Sequence, residues 1–222
     1  MNAVTRSMKT FLECHTPLGS FARRRRNRRM EEQYHQWVED GSVLPMPHLG
    51  KRRVVLDYAA RFTPKVFIET GTYTGHMVYG VMNDFREIYS IELDLVLAEK
   101  AKMRFRGYRH VHIFQGDSGQ VLPEILKTIS EPCLFWLDAH YSQGATAKGE
   151  LETPIVQELH CILNRENGAE DVLLIDDARS YTGKNDYPDL KSLKRFILDV
   201  RPDWVFEIKD DIIRSHAQER PQ

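Results

Sequence analysis

The sequence predicts an α/β protein with a doubly wound, mostly parallel seven-stranded sheet that ends in an antiparallel C-terminal hairpin. Two observations predict this fold. Short β-rich runs alternate with helix-like stretches from Val66 onward, and the last two β-rich runs are joined by a short polar turn. Strands that alternate with helices indicate βαβ units, in which the strands are parallel and helices cover both faces. The 222 residues are enough for one such domain and a preceding extension.

The individual elements follow from hydrophobic periodicity and turn signals. Parallel strands are predicted at 66–69, 87–92, 111–115, 132–138 and 171–176. Helices are predicted at 75–84, 95–106, 119–129, 151–165 and 189–200. The final segment, "DWVFEIKDDIIRSH", contains two β-rich runs around a Lys-Asp-Asp turn, and a hairpin of this kind is antiparallel.

The region before the sheet divides into two parts. Residues 1–29 are predicted to be a basic, flexible arm, because the arginines between Arg23 and Arg29 repel one another. A phosphate-binding or nucleic-acid patch and an organellar presequence are alternatives for this acid-poor segment. Residues 30–62 are predicted to be a helical extension, whose helices are available for packing in a homo-oligomer, and residues 63–222 a Rossmann-like domain.

Bulk composition excludes several classes of protein. The formal net charge of −1 argues against a nucleic-acid or anionic-membrane partner for the molecule as a whole. Three widely spaced cysteines without a CxxC pair argue against a disulfide framework or a zinc knuckle. No apolar run reaches the ~20 residues of a membrane span, and the N-terminus lacks the apolar centre of a signal peptide. The sequence therefore predicts a soluble, cytoplasmic protein.

The stretch "FIETGTYTGHM" directly follows the first predicted strand. Ligands of doubly wound sheets bind outside the carboxyl ends of the strands. Gly71 and Gly75 would let the backbone turn tightly and approach a ligand closely, and the next helix would offer its N-terminal amides. Glu69 precedes the first glycine by two residues, and a carboxylate there suits a cationic ligand better than a pyrophosphate. An ordinary strand-to-helix turn is the alternative.

Further acids follow the next two strands. Glu92 ends the second strand, where an acid can accept two hydrogen bonds from a ribose diol, and Asp117 and Ser118 end the third, in position for an adenine edge. Glu92 alone could be a surface acid. Acids at three consecutive strand ends would repel one another if they served no ligand. NAD fits less well, because the GxGxxG spacing is absent and Glu69 would lie near a diphosphate.

Over roughly residues 50–216 the chain resembles the class I adenosylmethionine-dependent methyltransferases. Tyr73 stands where the middle glycine of their first motif often lies. "ETGTYTG" is instead similar to the "ETG, any residue, aromatic, any residue, G" form of the macrocin O-methyltransferase family. That resemblance implies methyl transfer to sugar hydroxyls with a magnesium ion. It also implies a set of adenosylmethionine-binding residues: Glu69, Thr70, Gly71, Tyr73, Gly75, Glu92, Asp117, Ser118 and Asp138.

The same resemblance requires three acids in two places. Asp138 follows the fourth predicted strand, and Asp176 and Asp177 follow the fifth. If these strands are neighbours, the carboxylates meet and would suit Mg²⁺ or Mn²⁺, because such ions prefer hard oxygen ligands and leave positions for water or substrate. The alternative is that one aspartate caps a helix and another binds a backbone amide. We predict that the three aspartates hold the metal.

His140, two residues after Asp138, resembles the family's proposed general base. A hydroxyl is a poor nucleophile near neutral pH, so metal coordination and an imidazole that takes the proton would both assist the transfer. We predict catalytic roles for Asp138 and His140. Holding the loop or ligating the metal are alternatives for His140. The other histidines have no comparable context, and His76 is expected to cap a helix or line the cofactor pocket.

The predicted function is therefore adenosylmethionine-dependent O-methylation of a carbohydrate or glycosylated small molecule. One alternative is a nucleic-acid methyltransferase that uses the arginine run, although the chain lacks an "NPPY"-type motif. A second is a non-catalytic partner subunit with the same fold. A third is a metal-dependent hydrolase, which would leave Glu69, Gly71 and Glu92 unexplained.

Overall fold

The computed structural model describes residues 17–138 and 153–218. Seven strands in the described part of the chain form one sheet with the order β3-β2-β1-β4-β5-β7-β6. Neighbours among the first five strands are parallel, and β7 is antiparallel to both β5 and β6. The predicted fold is confirmed. The strands are β1 (Val66–Thr70), β2 (Glu87–Glu92), β3 (Val111–Gln115), β4 (Cys133–Leu137), β5 (Val172–Ile175), β6 (Trp204–Lys209) and β7 (Ile212–Ala217).

Seven α-helices are described, together with short 3₁₀ turns at Gly168–Glu170 and Ala178–Ser180. They are α1 (Pro17–Glu39), α2 (His48–Phe62), α3 (His76–Val81), α4 (Leu95–Phe105), α5 (Ser118–Leu126), α6 (Ile155–Leu163) and α7 (Leu190–Val200). Aspartate side chains cap the N-termini of three of them, since Asp94, Asp117 and Asp189 each accept a backbone N–H of the first turn.

Some helix boundaries differ from those predicted. Helices α3, α5 and α6 end earlier than the predicted spans 75–84, 119–129 and 151–165. The polar residues that follow them form turns, although they continue the helical spacing. Helix α1 passes through residue 29, the predicted boundary between arm and extension. Arginine is a strong helix former, and the chain has no Gly or Pro from residue 20 to residue 40.

The sheet is buried on both faces. Successive strand residues point to opposite faces, so Phe135 of β4 packs in one core with helices α5, α6 and α7, and Trp136 packs in the other with α2, α3 and α4. Both side chains are almost completely buried. Helix α2 joins the second core through Val55 and Tyr58. This packing brings the start of α2 to the carboxyl ends of β4 and β5.

Candidate active site

The turn after β1 has a backbone that glycine permits. Gly71 and Gly75 have φ of 90° and 68°, and Tyr73 between them also has a positive φ, 48°. The amides of Gly71 and Thr72 donate to the carbonyl of Ile91 at 2.9 and 3.2 Å, which fixes the turn to the end of β2. The exposed ring of Tyr73 lies on its outer side. The tight turn predicted after the first strand is therefore present.

Glu69 lies at the end of β1 and is buried. Ser90 Oγ donates to its carboxylate at 2.5 Å, and Ser90 Oγ lies 2.6 Å from Thr72 Oγ1. Burial raises the pKa of Glu69 to about 8, against the hydrogen bond from Ser90, and the nearby acids Asp138 and Glu92 raise it further. The carboxyl is therefore mostly neutral at pH 7, and a cationic group beside it would favour its charged form.

Glu92, at the end of β2, is also buried. Its two carboxylate oxygens accept the backbone N–H groups of Tyr73 and Asp94 at 2.6 and 3.0 Å. The side chain thus ties β2 to the glycine-containing turn. Each carboxylate oxygen has two lone pairs, so these bonds leave acceptor capacity for a ribose diol.

Asp117, at the end of β3, has a structural role in addition to the cofactor-binding role predicted for it. Asp117 caps α5 and accepts the amide of Gly119 at 2.8 Å. Ser118 and Thr70 are buried and lie beside Glu158 of α6. Burial raises the pKa of Glu158 to about 7, against the hydroxyl groups of Ser118 and Thr70, which lower it. Sequence reasoning missed Glu158, because it reads as one polar residue in an amphipathic helix.

The three aspartates predicted to bind metal are brought together. Asp138 follows β4, Asp176 and Asp177 follow β5, and the two strands are parallel neighbours. One ligand oxygen from each of the three lies within 4.8 Å of the others. Asp176 and Asp177 are buried, and Asp177 has a positive φ of 54°. Burial, and then repulsion from Asp138, raises the pKa of Asp176.

A cation from α2 lies in this acidic cluster. The Lys51 ammonium donates to Asp176 Oδ2 and lies 3.6 Å from Asp177 Oδ1. Burial alone would lower the pKa of Lys51, but attraction to Asp176 and Asp138 outweighs it and raises the pKa. Lys51 is 125 residues from Asp176 in the chain, so no local sequence signal marks the pair.

His48, one helical turn before Lys51, also faces the site. Burial lowers the pKa of His48, against a hydrogen bond with the backbone of His76 and attraction to Asp138, which raise it. The rings of His48 and His76 are 5.8 Å apart. Both residues begin helices. The N-cap of α3 is Gly75, so His76 does not cap that helix. The pairing of the two histidines was not predicted from the sequence.

The charges of the cluster fit a divalent cation. Arg179 pairs with Asp177 at 2.9 Å and also with Asp211, so two cationic side chains, Lys51 and Arg179, face four carboxylates. With all six side chains ionised, their net charge is −2, which one Mg²⁺ or Mn²⁺ would balance. The donors are hard oxygens, as these ions require.

A small open cleft adjoins the cluster, with a free volume of about 10 Å³, roughly that of one water molecule. Its walls include the three aspartates, Glu158 and two tyrosines. The lining residues are Leu137, Asp138, Thr153, Ile155, Glu158, Asp176, Asp177, Tyr181 and Tyr187. The lining of the cleft is therefore acidic, with two phenol groups beside the carboxylates.

Two sequence predictions fall outside the described residues. His140, the predicted base, lies between 138 and 153. Residues 1–16 of the predicted basic arm lie before the first described residue. Arg25, Arg28 and Arg29 of the arginine run are exposed on α1. Within 17–138 and 153–218, the helices are too short or too polar to serve as a transmembrane span.

Solved structures of methyltransferases share this fold. A methyltransferase from Podospora anserina bound to SAH has 17% identity and a TM-score of 0.55, over 83% of this chain and 87% of its own. The O-methyltransferase TomG of Streptomyces achromogenes in complex with SAM has 16% identity and a TM-score of 0.53, over 86% and 89%. A Bacillus cereus O-methyltransferase with SAH has 14% identity and a TM-score of 0.53, over 84% and 90%.

Identities of this size establish the fold alone. The chain has the seven-stranded architecture of class I methyltransferases, with the antiparallel last strand that a plain dinucleotide-binding half lacks. No protein-family model and no curated protein matches the sequence.

Proposed function

We propose that this protein is an adenosylmethionine-dependent O-methyltransferase. The observation that supports the proposal most is that the buried acids Glu69 and Glu92 and the helix cap Asp117 follow three neighbouring parallel strands, so they share one edge of the sheet with the glycine-containing turn after β1. The buried carboxyl of Glu69 would ionise beside the ammonium and sulfonium charges of adenosylmethionine. Glu92 would accept hydrogen bonds from the ribose of this cofactor. The solved neighbours that hold SAM or SAH have the same fold.

We assign the metal to Asp138, Asp176 and Asp177, whose oxygens converge and whose charges would attract a cation. A bound Mg²⁺ or Mn²⁺ would supply Lewis-acid polarisation of the acceptor hydroxyl. The chain's own contribution is to orient the acceptor beside the sulfonium methyl and to take the proton. His140 is the proposed base, and Asp138 is shared between the cofactor side and the metal side of the site. Direct transfer needs no covalent enzyme intermediate.

For the acceptor we propose a sugar hydroxyl, on a glycan or a glycosylated small molecule. The macrocin-type motif "ETGTYTG" supports this class. The acidic lining of the cleft is consistent with this class, because carboxylates accept hydrogen bonds from hydroxyls and repel a phosphate-rich acceptor. A nucleic-acid acceptor is correspondingly disfavoured at this site.

Calorimetric titration of the purified protein with S-adenosylhomocysteine tests the proposal. We expect saturable binding to the wild type and affinity about tenfold or more weaker for Glu92→Ala, because that variant loses the carboxylate that fixes the turn and would accept the ribose. Glu99→Ala, an exposed change on α4, is the control. Absence of binding to the wild type would contradict the proposed function.

Binding should also release a proton through Glu69. Its pKa of about 8 in the free protein means that the carboxyl carries roughly 0.9 proton at pH 7. The ligand's ammonium would favour the carboxylate, so the proton leaves on binding, and the release should fall towards zero above pH 9.

The measurement is the enthalpy of S-adenosylhomocysteine binding at pH 7 in buffers with different ionisation enthalpies. Wild type should give enthalpies that depend on the buffer, and Glu69→Gln should not. Identical wild-type enthalpies in phosphate and in Tris would show that Glu69 does not exchange its proton with the ligand.

A further inference from the structure

Lys51 and a divalent cation would need the same oxygens of the acidic cluster. Asp176 Oδ1 accepts the amide of Asp177 at 2.9 Å, and Asp176 Oδ2 accepts the Lys51 ammonium. Both oxygens of this carboxylate are therefore engaged. Asp177 Oδ1 lies 3.6 Å from the same ammonium and 2.9 Å from Arg179. A metal ion that binds Asp176 Oδ2 and Asp177 Oδ1 together would lie close to the position that the ammonium holds.

The ammonium is held firmly but has a route outward. Its charge faces the buried carboxylate of Asp176, where an unpaired charge would be costly, yet the Lys51 side chain keeps 18% of its surface exposed. A lysine side chain has four rotatable bonds and a strongly hydrated head group, so it can exchange its carboxylate partner for water. Arg179, by contrast, is also held by Asp211 through two hydrogen bonds.

We propose that Lys51 is an internal counter-ion of the acidic cluster and that a divalent metal binds by displacing its ammonium. Lys51 is thus a positioning residue: it neutralises and holds Asp176 and Asp177 when no metal is bound, and it lowers the affinity for metal by competing with it. This inference rests on the metal site of the proposed function. It adds to that function a role for α2, the helix before the sheet, whose Lys51 lowers the affinity of the cluster for the metal.

The test compares Mn²⁺ binding, measured by electron paramagnetic resonance, in the full-length wild type and in Lys51→Met. Loss of the competing ammonium should tighten Mn²⁺ binding about tenfold or more, since a charged hydrogen bond no longer has to be broken. Lys51→Arg, which keeps the charge, should show no gain. Arg53→Met is the matched control, because Arg53 is an exposed cation of the same helix that pairs with Glu31 of α1.

Thermal unfolding provides a second readout that is independent of turnover. In EDTA, Lys51→Met should melt below the wild type, because its carboxylates lose their cation, and Mn²⁺ should raise its melting temperature more than that of the wild type. If Lys51→Met folds poorly, Lys51→Gln replaces it in both measurements.

The failures are distinguishable. Equal Mn²⁺ affinity in wild type and Lys51→Met would overturn the displacement and leave the metal site standing. No Mn²⁺ binding in either protein, with S-adenosylhomocysteine still bound, would overturn both the displacement and the metal site, and would make Lys51 a permanent partner of the aspartates. Loss of S-adenosylhomocysteine binding by the wild type would remove the proposed function itself.

Discussion

The double substitution Asp176→Asn, Asp177→Asn should reduce the affinity for Mn²⁺ by more than about 100-fold, because it removes the charge of two of the three converging carboxylates. Changes in the shell that supports metal ligands already cost about 10–100-fold, so loss of two ligands should cost at least as much. Substrate methylation that depends on the metal should fall in parallel. Electron paramagnetic resonance titration of Asp176→Asn, Asp177→Asn measures the effect.

Two comparisons make this result specific to the metal site. S-adenosylhomocysteine should bind the double variant nearly as well as the wild type, because Glu69 ends β1 and Glu92 ends β2, whereas Asp176 and Asp177 follow β5, and both glutamates make their own contacts. Asp199→Asn, an exposed change on α7, should leave Mn²⁺ binding unchanged. Unaltered Mn²⁺ affinity in the double variant would mean that the aspartates hold no metal and that Lys51 and Arg179 are their only cations among the described residues.

Gly75→Val should destabilise the protein by about 3 kcal/mol, since it combines backbone strain with overpacking. Gly75 has a φ of 68°, which a β-branched residue adopts only with strain, and an added Cβ would lie 2.7 Å from the ring of Phe105. Phe105 is almost completely buried and has little room to move. For a domain of this size the melting temperature should fall by roughly 6–12 °C.

The same substitution should weaken S-adenosylhomocysteine binding, because it displaces the turn that we propose to contact the ligand. Gly107→Ala is the control: no atom lies within 4 Å of a Cβ added there, so its melting temperature should stay near that of the wild type. If Gly75→Val melts with the wild type and binds equally well, the turn is not as tightly constrained as its geometry implies. Differential scanning calorimetry and ligand titration together decide the point.

Much of the fold could be predicted because its signals are local. Most parallel strands are short β-rich runs. Fully buried strands such as Cys133–Leu137 can be recognised by their shortness and by the turn residues that flank them. Capping aspartates mark several helix starts. Helix ends were less well predicted, because residues such as Lys127 and Thr128 continue the helical pattern while the backbone already turns.

The strand-end acids could be predicted for a related reason. Chain order alone places residues such as Glu69 and Asp176 at the ends of parallel strands, and those ends share one edge of the sheet. Lys51 and Glu158 could not be found in this way. Their positions depend on how α2 and α6 pack on the sheet, which brings together side chains far apart in sequence.

The docking of α2 also has a dynamic consequence. Tyr58 and Val55 anchor this helix in the apolar core, while Lys51 on the same helix reaches the acidic cluster. Any local unfolding that releases α2 therefore uncovers part of the core and withdraws the ammonium in one event. The amides of α2 and the exchange of cations at Asp176 should then share one opening equilibrium, so that hydrogen exchange in α2 reports on the state of the acidic cluster.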